Sequence, residues 1–128
     1  MSHPLITRLN TEFGWPMLDT SGDLTAFVEQ PGAHALFVPG DPKRNLESAD
    51  VAVILPELKQ AFQGKFDAAV VGDAVETELR ERTKVLKTPS VIFYRDGELI
   101  GGIPKVRDWD DYMARIAQIL AKPPVAAE

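Results

Sequence analysis

Glu47, Ser48 and Asp50 stand close together in the chain, just after a loop that carries Asp41, Lys43 and Arg44. A hydroxyl beside a carboxylate could begin a nucleophilic triad, but a triad also needs a base to take the hydroxyl proton. The chain has two histidines. His3 lies in an end that reads as mobile, and His34 lies inside the apolar run AHALFV, so neither stands by as that base. Ser48 and Asp50 read better as helix caps, whose side-chain oxygens accept the amide protons left open at a helix start. Two imidazoles this far apart make no metal site. Gly101-Gly102 falls at a strand end, and neither a phosphate-loop nor a dinucleotide glycine pattern is present. No enzyme activity, catalytic residue, cofactor or metal is expected.

The absence of cysteine removes disulfides, thiolate metal sites and thiol nucleophiles together. What remains for the charged residues is binding. The net charge of −5 disfavours nucleic acid, whose phosphates call for an electropositive surface, and it suits a basic partner. The same acidity also serves solubility alone. With 45% hydrophobic and 26% charged residues the composition is that of a soluble globular protein. No apolar run nears the ~20 residues of a membrane span, so no membrane insertion is expected. Met1 to Asn10 carries one arginine and no small-residue cleavage site behind an apolar stretch. It does not read as an export signal, and the expected location is the cytoplasm.

The elements that must position these residues follow from periodicity. Leu24, Phe27 and Val28 at i, i+3, i+4 predict a helix between Asp19 and Gln30, ended by Pro31-Gly32. Ala33–Val38 and Phe66–Val71 are short apolar runs that read as buried strands. Between them, Ser48 to Phe62 predicts a helix through Val51, Ile54, Leu55, Leu58 and Phe62, with a kink or interruption at Pro56. Ala74 to Val85 predicts a charged helix with Val75, Leu79 and Thr83 turned inward, broken by Thr88-Pro89. Asp96-Gly97 between Ser90–Tyr94 and Glu98–Gly102 predicts a hairpin. A last helix, Trp109 to Leu120, is capped by Asp108 and turns Trp109, Tyr112, Met113 and Ile116 to the core, with Ile119 or Leu120. Trp15 reads as packing. Residues 1–121 read as one domain, and 122–128 as a disordered Pro/Ala tail.

A strand-helix-strand crossover followed by a hairpin implies a mixed α/β sheet of four or five strands with helices on both faces. That layout resembles the thioredoxin fold, and Thr88-Pro89 stands where the fold carries a cis-proline. Counting back from Pro56 puts the place of the thioredoxin dithiol at Ser48-Ala49-Asp50-Val51, where no sulfur is present.

With Gly14-Trp15-Pro16, the Asp41-Pro42-Lys43-Arg44 loop, Glu47 with Ser48 and Asp50, the Thr88-Pro89 break and Gly97 with Gly101, the chain resembles the HyaE/HupG family of hydrogenase expression proteins over about residues 13 to 121. The resemblance implies a non-catalytic chaperone for nickel-iron hydrogenase, one that binds the twin-arginine signal peptide of the small-subunit precursor before export. The site residues it would use are Asp41, Lys43, Arg44, Glu47, Ser48, Asp50, Thr88 and Pro89. The surface beside Pro89 would pair with an extended peptide, and carboxylates suit guanidinium groups. Each residue also has a plainer role: Lys43 and Arg44 as a solvated loop, Asp41 as the start of an Asx turn, Glu47 and Asp50 as acids favoured at a helix start. The alternative function is a scaffold that assembles other maturation proteins without touching a signal peptide.

Overall fold

The computed structural model describes residues 3–41 and 43–122. In chain order the elements are α1 (Pro4–Thr11), β1 (Met17–Leu18), α2 (Ser21–Val28), β2 (Ala33–Val38), α3 (Ser48–Ala61), β3 (Phe66–Val71), α4 (Asp73–Thr83), β4 (Ser90–Arg95), β5 (Glu98–Pro104) and α5 (Trp109–Ala121). The strands form one mixed sheet in the order β1-β3-β2-β4-β5. Parallel pairing joins β1 to β3 and β3 to β2, while β2–β4 and β4–β5 are antiparallel.

β2 is buried at every residue because helices cover both faces of the sheet. Successive strand side chains alternate between faces. Ala35 and Phe37 meet Ile6 and Leu9 of α1, Val51, Leu55 and Leu58 of α3, and Tyr112, Ile116 and Ile119 of α5. Leu36 and Val38 meet Leu24, Phe27 and Val28 of α2 and Val75 and Leu79 of α4. Each fully buried Leu, Ile, Val or Phe contributes about 1.5–3 kcal/mol relative to exposure, so these two layers hold the platform rigid.

The expected helices, strands and hairpin are present. Asp96 and Gly97 both take positive φ, at 51° and 86°, which the two-residue turn requires. The Thr88-Pro89 peptide is cis, as expected. α3 runs through Pro56 as a single helix rather than breaking there, although Pro56 has no amide to give the Ala52 carbonyl. Two elements went unforeseen. α1 opens with Pro4 behind His3, whose Nδ1 accepts from the Leu5 amide at 3.1 Å, so His3 is a helix cap and not part of a loose end. β1 is only two residues long and exists by pairing with Val70 and Val71.

Trp109 is a correction, since it is 39% exposed at the first residue of α5, where the helix has begun before the core has. The buried stripe is Tyr112, Ile116 and Ile119. Trp15 is buried. Among the described residues, no helix is long and apolar enough to cross a membrane. The tail expected from Lys122 onward lies, beyond Lys122 itself, outside the described residues.

Burial pushes both tyrosines of the chain, Tyr94 and Tyr112, above the ordinary value near 10. With the folded value above the unfolded one, this contribution to stability is whole below pH 10 and is lost as pH rises beyond it, because the unfolded chain releases its phenolic protons first. Tyrosinate absorbance of the native protein should therefore lag that of denatured protein on alkaline titration, and the unfolding midpoint should fall in the same range. Coincident titration curves would contradict the burial of these rings.

Candidate partner-binding site

The chain leaves β2 at Val38 and must turn at once over the start of β4. Gly40 makes the turn at φ +71°, and a Cβ there would lie 2.5 Å from Thr88 Oγ1 and 2.6 Å from Asn45 Nδ2. Only glycine fits. The loop then closes on itself: the Asp41 carbonyl accepts from the Arg44 and Asn45 amides at 3.0 and 2.8 Å, and Asp41 Oδ1 accepts from the Lys43 amide at 3.0 Å. This is the Asx turn that the sequence allowed for Asp41. Asn45 Nδ2 donates to Thr88 Oγ1 at 3.1 Å, joining two loops that lie 43 residues apart in the chain.

Ser48 is the first residue of α3, wholly buried, and its Oγ donates to the Pro39 carbonyl at 2.6 Å. The capping role expected of Ser48 or Asp50 is therefore not taken. Glu47 holds the cap position without a side-chain bond to the helix. Ser48 instead satisfies a buried carbonyl that would otherwise go unpaired. Asp50 is exposed in the first turn, where the helix dipole favours it, and among the described residues it makes no side-chain hydrogen bond or ion pair.

Glu47 turns toward β5 rather than toward its own helix. Its Oε1 is buried without a hydrogen bond and lies 3.5 Å from Lys105 Nζ, which in turn lies 3.5 Å from the Thr88 carbonyl. Lys105 is held in the left-handed region at φ +65°, with its amide donating to the Pro89 carbonyl at 2.6 Å and its carbonyl accepting from Tyr112 Oη at 3.3 Å. Of the residues singled out in the sequence, Glu47, Ser48, Thr88 and Pro89 thus gather at one end of the sheet with Asp41 in the adjoining turn. Lys43 and Arg44 project into solvent, with Arg44 Nε no nearer than 4.0 Å to Asp41 Oδ2.

Sequence reasoning missed Gly40, Asn45 and Lys105, and it missed Leu46 and Leu86, which stand 81% and 53% exposed on the two joined loops. Pro39-Gly40 was a turn signal that could have pointed to the close approach; nothing local marks Lys105. On the other side of the loop, burial raises the Glu76 carboxyl above its ordinary value, opposed by Arg80 and reinforced by Asp73 and Asp41.

His34 is buried, with Nε2 2.8 Å from the Gln30 carbonyl and its ring against Phe27, so it packs. No group of acids and histidines that could hold a metal occurs among the described residues. A cavity of about 290 Å³ between Ile6, Met17, Asp19, Pro39 and Gly72 adjoins the site. A larger one of about 450 Å³, lined by Phe13, Trp15, Pro56 and Lys59, lies toward the far end of α3.

A family model described as hydrogenase-1 expression protein HyaE matches residues 5–112. The hydrogenase expression/formation protein HupG of Rhodobacter capsulatus is 66% identical over 120 residues, spanning 94% of this chain and 87% of that protein. Among solved structures, the hydrogenase expression/formation protein hupG from Rhodopseudomonas palustris superposes with a TM-score of 0.59 at 36% identity, over 83% of this chain and 95% of that one. Mitochondrial thioredoxin 3 from Saccharomyces cerevisiae superposes with a TM-score of 0.63 at 15% identity, over 84% and 94%, so the fold is thioredoxin-like.

Replacing Ser48 by alanine leaves the Pro39 carbonyl buried and unpaired, at a cost of about 1–3 kcal/mol. Asp50→Asn should change stability by no more than about 0.5 kcal/mol. Urea midpoints of the two variants decide this, and equal losses would contradict the assigned roles.

Proposed function

The chain belongs to the HyaE family of hydrogenase expression proteins, and from that premise we propose that it is a non-catalytic accessory of hydrogenase maturation, which holds the small-subunit precursor by its twin-arginine signal peptide in the cytoplasm before export. The observation that carries this is the pair of acceptors at Glu47, called the Glu47 crevice below: its carboxylate oxygen and a backbone carbonyl, Thr88 O, both lie 3.5 Å from one cation, Lys105 Nζ, beside the two joined loops. A guanidinium is the group that such a pair of acceptors suits. The exposed Leu46 and Leu86 beside it suit apolar side chains further along the same peptide. Asp41 and Asp73 add acidic charge near that end of the sheet, which suits a basic segment. With no cysteine in the chain, the thiol exchange of thioredoxins has no nucleophile here.

One observation favours the second function, a scaffold for other maturation proteins. Lys43 and Arg44 stand out into solvent at the tip of the loop, where they suit an acidic surface better than a basic peptide.

A pull-down with precursor that carries or lacks its signal peptide separates the two. The first function requires capture of the full precursor alone, and equal capture of both forms supports the scaffold. In the same assay Glu47→Gln should weaken binding by about 1 kcal/mol or less, as exposed ion pairs do, and the difference should shrink as salt is raised. Loss of binding on Lys43→Glu with Arg44→Glu, together with indifference to Glu47→Gln, would replace the first function by the second.

A further inference from the structure

Lys105 sits where the incoming cation would have to sit. Its ammonium straddles the Glu47 carboxylate and the Thr88 carbonyl at 3.5 Å from each, too far to satisfy either well, and Glu47 Oε1 stays buried without a hydrogen bond. The lysine backbone, by contrast, is fixed on both sides by Pro89 and Tyr112. We infer that Lys105 is a built-in stand-in for the partner's arginine: it keeps the crevice filled and neutral when the protein is free, and swings out to solvent when a guanidinium enters. This rests on the proposed recognition of an arginine-bearing peptide and adds the residue that sets its selectivity.

The physical case is one of geometry. An ammonium is a compact charge that can approach two separated acceptors only as a compromise, whereas a planar guanidinium presents five N–H groups and can set different ones on the carboxylate and on the carbonyl. Exchange of the internal lysine for an arginine then gains two close bonds and loses two long ones. Glu47 and Lys105 are both nearly half exposed, so the lysine has water to move into. A lysine on the peptide would gain nothing over the lysine already present, and the crevice therefore discriminates arginine from lysine.

The test is a titration with a synthetic peptide that carries paired arginines flanked by leucines, and with its lysine-paired counterpart. Removing the stand-in by Lys105→Met should tighten the arginine peptide about three- to tenfold. Lys65→Met, with the same change of charge on an exposed residue at the opposite end of the sheet, should alter it less than about twofold. Lys105→Arg should weaken it, because the crevice is then filled by a guanidinium of its own. Unchanged or weaker binding by Lys105→Met, or an effect equal to that of Lys65→Met, overturns the inference. A second probe, N-acetyl-Arg-Arg-amide, is followed by the NMR signal of the Glu47 side-chain carboxyl. If no protein binds the long peptide but the dipeptide shifts that signal in Lys105→Met more than in the unaltered protein, the stand-in holds and signal-peptide recognition falls. If the dipeptide leaves the Glu47 signal of Lys105→Met unmoved, the stand-in falls.

Discussion

The closest approach in the molecule that matters most is the one at Gly40, where the backbone leaving β2 passes the Thr88 side chain with no room for a Cβ. Because that space is closed, the loop that follows must lie against the start of β4, and the Asn45–Thr88 bond can form. The same approach brings Glu47 within reach of Lys105 and aligns Ser48 under Pro39. A side chain at Gly40 would push the two loops apart and break the Asn45–Thr88 bond that joins them.

The fold is that of thioredoxins, yet the start of α3 has been put to another use. The stretch that counting back from Pro56 assigns to the dithiol's place begins with Ser48, a hydroxyl turned inward and engaged with a backbone carbonyl. Where a thioredoxin must keep a sulfur accessible and poised for ionisation, this chain fixes the same helix end by a buried neutral hydrogen bond. Chemistry at the helix start is exchanged for rigidity, and the polar groups left facing outward there are Asp50 and those of the neighbouring loops.

Much of the fold was legible because its signals are local. Ala33–Val38 and Phe66–Val71 announce themselves as buried strands, Asp96-Gly97 as a turn, and Leu24, Phe27 and Val28 as a helix face. What escaped depends on partners distant in the chain. β1 is a strand only because β3 runs beside it, and eight-residue α1 has a short stripe, Ile6 and Leu9, that means little until α3 is packed against it. Ser48 fits the local rule for a cap, but the helix starts one residue early: Glu47 takes the cap position, and the Ser48 hydroxyl donates to the Pro39 carbonyl. Lys105 follows a proline at the end of a strand and looks like any solvated lysine. Its role comes from Glu47 and Thr88, which chain order places far away. The acids and the Thr88-Pro89 break were found because each belongs to a motif, whereas the cation between them belongs to none.

The outer strand β5 pairs only with β4 and so leaves one side of its backbone open. Neighbouring residues of a strand turn their backbone groups to alternate sides. Lys105 turns its amide inward to Pro89, so Pro104 turns its nitrogen outward, at the point where a further strand would look for a donor and find none. The left-handed residue that follows then bends the chain off the sheet. At this rim, the turn that aims the Lys105 side chain also withholds a donor from the open edge and disfavours the pairing of a further strand there.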